Sequence, residues 1–118
     1  MKSVVLMFGD VDEWNQLPPE AQEVGLAQHR AFSRAVEERA GCALLGGEAL
    51  TGADVATTVR REGNRPLLSD GPFAEATEQL GGFYVVDTPD LDVLVDLLTL
   101  LPEDYTLEIR PVWDPFAD

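Results

Sequence analysis

The feature that most constrains the fold is a short first strand that is apolar on both of its faces. Val4, Leu6 and Phe8 alternate with Val5 and Met7, and successive side chains point to opposite faces of a strand. Continuous apolarity over such a length is typical of a central strand that is covered on both sides. The rest of the chain must therefore supply cover for two faces of a sheet.

Two amphipathic segments are predicted to form helices that cover one of these faces. The first begins at Pro19, a residue suited to the first helical position, and ends near Ala40, before Gly41. The second follows Thr88, which is predicted to be its N-cap. The residues expected to face the sheet are Ala21, Gly25, Phe32, Ala35 and Val36 in the first helix and Leu91, Leu94, Val95, Leu98 and Leu101 in the second.

Alternation and turn residues predict five further strands. The polar segment 9–16 between the first strand and the first helix is expected to be a loop, with Trp14 as its anchor or as a lid over a cleft. The order β-α-β-β-β-β-α-β predicts an α+β fold: a ferredoxin-like antiparallel sheet with two helices on one face and an inserted hairpin, in a single domain of residues 1–118. A homodimer would cover the other sheet face. The strands are predicted at 42–50, 55–61, 65–69, 83–87 and 105–113.

The composition excludes several classes of partner. The chain has 22 acidic and 8 basic residues and a formal net charge of −14, so a nucleic acid or an anionic membrane would be repelled. The single Cys42 cannot form an internal disulfide and fits a reducing compartment. Neither a signal peptide nor an apolar run long enough for a membrane span is visible. We therefore expect an acidic cytoplasmic protein.

The segment 69–83 combines two stiff turns. Gly71 tolerates backbone angles that other residues avoid, and Pro72 fixes its own φ, so residues 70–72 are predicted to form a rigid corner. The pair Gly81-Gly82 allows a strand to begin close to another backbone. Taken alone, such a segment is most often a well-formed loop between strands.

The same segment resembles the hallmark of the YCII-related, DGPF-domain family. The resemblance is carried by Asp70-Gly71-Pro72-Phe73, then Ala74-Glu75, then Glu78-Gln79-Leu80-Gly81-Gly82-Phe83-Tyr84, and it extends over nearly the whole chain. It implies a dimeric α+β barrel architecture. It says less about activity, because most proteins of this kind have no assigned function.

The resemblance also implies a site. A lone histidine near the apolar face of a helix is most often structural, but His29 matches the position of a family histidine that is paired with an aspartate, for which Asp70 is the candidate here. A carboxylate beside the imidazole would raise the pKa of His29, whereas desolvation would lower it. Many members of the family have Lys at the position of Thr77, so the resemblance does not extend to a substrate anion held by that Lys. The residues expected to contact a substrate are Phe73, Glu75, Gly81, Gly82 and Arg110.

These residues leave two classes of function open. A single imidazole with no metal or cofactor motif limits chemistry to proton transfer, as in an isomerase or lyase that acts on a small organic molecule without a cofactor. The alternative is a non-catalytic protein that binds a small molecule or assists a regulator. A cofactor-free monooxygenase is a third possibility that rests on fold analogy alone.

Overall fold

The computed structural model describes residues 1–117 and contains a four-stranded antiparallel sheet with the strand order β2-β5-β1-β6. A hairpin of β3 and β4 forms a separate two-stranded sheet. The strands are β1 (Lys2–Gly9), β2 (Ala43–Ala49), β3 (Thr57–Glu62), β4 (Arg65–Asp70), β5 (Gln79–Asp87) and β6 (Thr106–Pro111). The helices are α1 (Val11–Gln16), α2 (Pro19–Glu38) and α3 (Leu91–Leu98), and a short 3₁₀ turn spans Ala53–Val55.

This topology confirms the predicted ferredoxin-like α+β fold. Strand β1 is central and pairs with β5 on one side and β6 on the other. Helix α2 connects β1 to β2, and β5 lies between these two strands, as in a split β-α-β unit. The inserted hairpin is also confirmed, between β2 and β5.

The core lies between the sheet and the two longer helices. Val5 in β1, Phe32 and Val36 in α2, and Leu94 in α3 are fully buried. Phe32 and Val36 lie one helical turn apart, so they share the face that packs on the sheet. The remaining buried apolar residues are Met7, Val86, Leu97, Leu98 and Leu101.

Three local expectations were wrong. Segment 11–16 is a helix and not a loop, because the Asp10 side chain caps it by accepting a hydrogen bond from the Glu13 N–H. Asp90, not Thr88, caps α3, since its side chain accepts a hydrogen bond from the Val93 N–H. In α3, Leu91 and Val95 are half exposed, whereas Leu97 is buried in their place. From Pro115, residues 114–118 are expected to form a short tail after the last strand, and Asp118 of this segment lies outside the described residues.

The other face of the sheet is apolar at its centre, carries Glu48, Glu108 and Arg110 on its outer strands, and has no cover within residues 1–117. Val4, Leu6 and Phe8 on β1 and Phe83 and Val85 on β5 share this face and are partly exposed. Val4 pairs with Val85 and Leu6 with Phe83 in the strand register. We call these five residues the open sheet face.

Candidate functional site

A cleft of about 500 Å³ lies at the end of the sheet, between α1, α2 and the strands. Its lining includes Met7 from β1, His29 from α2 and Tyr84 from β5. Trp14 from α1 and Tyr105, which directly precedes β6, complete the aromatic part of its wall. A cleft of this size that combines apolar and polar side chains is suited to a small organic molecule.

His29 is held between two tyrosine hydroxyl groups. Its Nδ1 lies 2.7 Å from the Tyr84 Oη, and its Nε2 lies 3.2 Å from the Tyr105 Oη. The histidine and tyrosine rings are tilted, with centroids 5.9 Å and 5.7 Å apart for Tyr84 and Tyr105 respectively. Both ring nitrogens therefore have a partner at the wall of the cleft.

The sequence folds locally to bring these three side chains together. His29 lies three residues before the buried Phe32, at the edge of the helical face that packs on the sheet. The Phe32 ring contacts Tyr84, with centroids 4.9 Å apart. Tyr84 alternates with the buried Gly82 and Val86 along β5, so it points toward the helices.

Burial keeps all three groups neutral. Desolvation lowers the pKa of His29 below its ordinary value of 6.5. Desolvation raises the pKa of Tyr84, and the neighbouring Tyr105 adds to this effect, while the hydroxyl of Ser33 opposes it. Desolvation also raises the pKa of Tyr105, with a contribution from the charge of Asp104. At neutral pH the site consists of an imidazole and two phenols.

A neutral imidazole has one N–H donor and one bare nitrogen acceptor. One tyrosine must therefore donate its hydroxyl proton to His29, while the other accepts the His29 N–H. The accepting tyrosine keeps its own proton free for a ligand, and the donating tyrosine keeps lone pairs free. The site consequently offers a donor and an acceptor to the cleft.

Trp14 is both an anchor and part of the cleft wall. It packs so closely on α2 that a Cβ on Gly25 would lie 2.9 Å from the Trp14 Cζ3. The Gln22 side chain donates a hydrogen bond to the Trp14 carbonyl oxygen at 3.1 Å. Trp14 thus holds α1 on α2 and lines the cleft.

The rim of the cleft is acidic. Asp10 and Glu13 border it beside α1, and Asp104 borders it beside Tyr105. Within the described part of the chain, neither Lys nor Arg contributes to the lining. A ligand with a carboxylate or phosphate group would meet repulsion at this rim.

The structure distributes the other residues predicted for the site over three places. Gly81 lines the same cleft as His29, and Gly82 is buried next to it, where a Cβ would lie 3.0 Å from the Met7 Cε. Arg110 lies on β6, exposed, with its Nη1 3.3 Å from the Glu108 carboxylate. The remaining three, Asp70, Phe73 and Glu75, lie at the end of the hairpin and in the loop after it, exposed and outside the lining of this chain's cleft.

The pairing of Asp70 with His29 stays a prediction. In the described chain the hydrogen-bond partners of His29 are Tyr84 and Tyr105, and its pKa moves in the direction set by desolvation. Sequence reasoning did not select these tyrosines. A signal was present, since Tyr84 alternates with Val86, and Tyr105 with Leu107 and Ile109, on the strand faces that meet the helices.

Within residues 1–117, no group of three or more His, Cys, Asp or Glu side chains is arranged to hold a metal ion. The helices of this part of the chain are also too short or too polar to cross a membrane.

The fold and the cleft define a small ferredoxin-like α+β protein with a histidine-centred pocket between sheet and helices. Comparison with known families makes the assignment specific: the YCII-related domain matches residues 4–114, and the chain belongs to this family. A curated relative is an uncharacterized protein from Rhizobium meliloti (strain 1021), 39% identical over 61 residues. That match covers 48% of this chain and 49% of the relative, so it spans about half the length of the relative.

Proposed function

We propose that this protein transfers a proton within a small neutral organic molecule bound in the cleft, without a cofactor, as an isomerase or lyase does. The observation that carries the proposal is the hydrogen bonding of both His29 ring nitrogens to Tyr84 and Tyr105 at the cleft wall. The lowered pKa keeps the His29 imidazole in its neutral form at neutral pH, which is the form that can accept a proton.

The relay follows from the donor and acceptor roles of the three groups. A proton leaves a carbon next to the ligand carbonyl and passes to the tyrosine oxygen that donates to His29, while that tyrosine passes its own proton to the bare nitrogen. His29 becomes an imidazolium ion, and the ligand becomes an enolate. Return of the proton to a different carbon completes an isomerisation with no net change in protonation.

Protonation of His29 also reorganises the hydrogen bonds. An imidazolium ion donates from both ring nitrogens, so both tyrosine oxygens then act as acceptors toward it. Both phenolic protons become available to the enolate oxygen. The same step that creates negative charge on the ligand thus supplies two donors that stabilise it, as oxyanion-hole donors do.

The proposal can be tested with 3-cyclohexen-1-one, a neutral ketone whose isomerisation to the conjugated enone is followed by ultraviolet absorbance. We expect turnover by the native protein and a loss of about 10²–10⁴-fold in His29→Gln, the usual range for removing a general acid–base group. The exposed Arg34, which lies on the same helix, offers a matched control as Arg34→Gln. Equal rates for the native protein and His29→Gln would contradict the proposal.

The second candidate is a non-catalytic binding or regulatory protein. The hydrogen bonds of His29 to Tyr84 and Tyr105 also favour this candidate, because a buried structural histidine likewise has both ring nitrogens hydrogen-bonded. Ligand binding can be followed by the fluorescence of Trp14 in a Trp113→Phe background, since Trp113 is exposed and outside the cleft. A binding protein would show the fluorescence change with the ketone and no isomerisation.

We further propose a cytoplasmic homodimer formed through the open sheet face. Its five apolar side chains are partly exposed, and an apolar patch of this kind is a typical interaction surface. A two-fold axis allows one patch to cover its own copy. The free Cys42 is consistent with a reducing compartment.

A further inference from the structure

The hairpin of β3 and β4 stands apart from the rest of the described chain. Its strands pair only with each other, in a sheet separate from the main one. The radius of gyration is 16.5 Å, compared with about 13–14 Å expected for a compact domain of this length. The molecule is correspondingly flat and wide, 50 × 48 × 17 Å.

One face of the hairpin is apolar at its centre. Val59 pairs directly with Leu68 across the two strands, and these side chains are 58% and 68% exposed. Asp70 lies at one end of the same face, and Arg61 at the other, since alternate residues share a face. We call the residues Thr57, Val59, Arg61, Pro66, Leu68 and Asp70 the hairpin face.

An isolated two-stranded hairpin is marginally stable in water. Two hydrogen bonds fix its base: the Gly71 N–H donates to the Ala56 carbonyl at 2.7 Å, and the Thr58 hydroxyl donates to the Gly71 carbonyl at 2.8 Å. These two hydrogen bonds fix the orientation of the hairpin, which we also call the arm, but they bury none of its apolar side chains. The hairpin face therefore requires a cover from outside the described chain.

The charges indicate which surface supplies that cover. The hairpin, residues 57–70, carries Arg60, Arg61 and Arg65 against Glu62 and Asp70, so it has a formal charge of +1 in a chain of −14. Arg61 is the basic residue on the hairpin face. The rim of the cleft carries Asp10, Glu13 and Asp104 and also exposes apolar side chains, with Leu26 and Leu50 45% and 43% exposed. Arg61, Val59 and Leu68 on the hairpin face thus complement the acidic residues and the exposed apolar side chains of the rim.

A hairpin cannot cover the cleft of its own chain as the chain is folded. None of residues 57–78 lines the cleft, and within residues 1–117 the two hairpin strands pair only with each other. A second copy of the chain offers the same rim. Two copies carrying a formal charge of −14 each also repel one another, and contact between Arg61 and the acidic rim reduces this repulsion.

We propose that the hairpin of each copy lies over the cleft of the other copy, with Val59 and Leu68 packed on the rim near Leu26 and Leu50. Arg61 of one copy then meets the acidic rim of the other. The inference rests on the homodimer proposed above and adds a specific role for the arm. Each site is complete only in the dimer, because the hairpin of one copy then excludes water from the cleft of the other.

The direct test is disulfide formation between two separately made proteins in a Cys42→Ala background. One carries Leu68→Cys on the hairpin, and the other carries Leu26→Cys at the rim. After mixing and mild oxidation, we expect a covalent dimer on a non-reducing gel. The control replaces Leu26→Cys by Leu91→Cys, an exposed position at the start of α3, on the opposite end of the sheet from the cleft.

The outcomes separate the inference from the proposals on which it rests. No disulfide above the Leu91→Cys control, in a protein that is dimeric by light scattering, would overturn the role of the arm and leave the dimer standing. A disulfide within one chain that carries both Leu68→Cys and Leu26→Cys, with none between chains, would overturn it too, since the arm would then close its own cleft. A monomeric native protein would contradict both the homodimer and the role of the arm. The isomerisation of the ketone tests the proton relay independently of either.

A second test uses two arginines of the same hairpin as a matched pair. Arg61 lies on the hairpin face and Arg65 on the opposite face, so Arg61→Glu and Arg65→Glu make the same change in charge. We expect Arg61→Glu to reduce the yield of the intermolecular disulfide by about tenfold, as for a reversed charge at an interface, and Arg65→Glu to have a much smaller effect. Equal yields for the two variants would contradict the proposed orientation of the arm.

Discussion

At the residue scale, the environment of His29 is the clearest result. A histidine of ordinary exposure titrates near 6.5, but burial among Tyr84, Tyr105 and the core lowers the pKa of His29. Neither tyrosine carries the negative charge that would raise the pKa of His29. The side chain is therefore a neutral acceptor of protons and not a cation at neutral pH.

The lowered pKa predicts how stability depends on pH. Between the folded pKa and 6.5 the unfolded chain binds the proton more strongly than the folded one, so stability rises with pH in this window. The contribution of His29 is present above pH 6.5 and is lost as pH falls toward the folded pKa. We expect the free energy of unfolding of the native protein, measured relative to His29→Gln in urea, to fall with acidification in this range. A difference that does not change with pH would contradict the assigned neutral state.

NMR titration measures the same property directly. The pKa of His29 should lie below 6.5 in a dilute sample, where the monomer predominates. If Asp70 of a second copy approaches the ring, the pKa should rise as the dimer forms, because an opposite charge favours the imidazolium ion. The variant Asp70→Asn is the matched control and should remove this rise. An identical titration in both proteins at high concentration would exclude the pair.

The two tyrosines differ in their hydrogen-bond distances, and this difference is testable. Tyr84 lies at 2.7 Å from His29 and Tyr105 at 3.2 Å. Removing the shorter hydrogen bond should lower the free energy of unfolding more, by on the order of 1 kcal/mol for a hydrogen bond in a partly buried site. We expect Tyr84→Phe to lower the free energy of unfolding more than Tyr105→Phe does in urea denaturation. The reverse order would show that the Tyr105 bond is the stronger one.

At the scale of the elements, edge strand β2 supports the site through a glycine pair. Gly47 faces Tyr84, and a Cβ there would lie 2.7 Å from the Tyr84 Cδ1 and 2.8 Å from the Phe83 carbonyl oxygen. Gly46, its neighbour, has no atom within 4 Å of the same position. The backbone of β2 can approach β5 this closely only without a side chain at residue 47.

This asymmetry predicts different effects for adjacent glycines. Gly47→Ala should destabilise the protein by about 1–3 kcal/mol, the usual cost of overpacking, and should displace Tyr84 from His29. Gly46→Ala adds a methyl group in open space at an ordinary φ and should change stability by less than about 1 kcal/mol. Denaturation midpoints of the two variants provide the measurement. Equal midpoints would show that Tyr84 moves aside without cost.

The short helix α1 shows how a local signal can be missed. Residues 11–16 contain Asp12 and Glu13 in the first turn, and Asp10 provides the cap. These are favourable features at the start of a helix, but six residues without apolar periodicity are also compatible with a loop. Contact between Trp14 and Gly25 holds α1 on α2, and this contact forms only in the folded chain.

At the scale of the whole molecule, the flat shape leaves two apolar surfaces uncovered in the described chain: the open sheet face and the hairpin face. The open sheet face predicts association. Leu6 pairs with Phe83 at its centre, so Leu6→Glu should place a charge in the interface and leave a monomer. Val24 on α2 is 62% exposed and provides Val24→Glu as the control. Light scattering at micromolar concentration should give twice the mass of the 12.9 kDa chain for the native protein and for Val24→Glu. A native monomer would contradict the dimer.

The sequence by itself determined the fold, because each signal for it is local. The two-sided apolarity of Val4 to Phe8 identified the central strand, and the spacing of Phe32 and Val36 identified the helical face that covers it. Turn residues located the hairpin, whose Gly63 and the following Gly71 have positive φ angles of 61° and 95°. Backbone propensity and periodicity are properties of neighbouring residues, so they can be interpreted without coordinates.

Only the tertiary structure decided the composition of the site. Tyr84 and Tyr105 lie 55 and 76 positions after His29 in the chain, and strand register and helix packing determine which of their atoms meet. The direction of the His29 pKa shift depends on burial, which is a property of the packed molecule. Sequence reasoning selected the histidine and the cleft-lining Gly81 but not the tyrosines, because a hydrogen bond between distant segments has no local pattern.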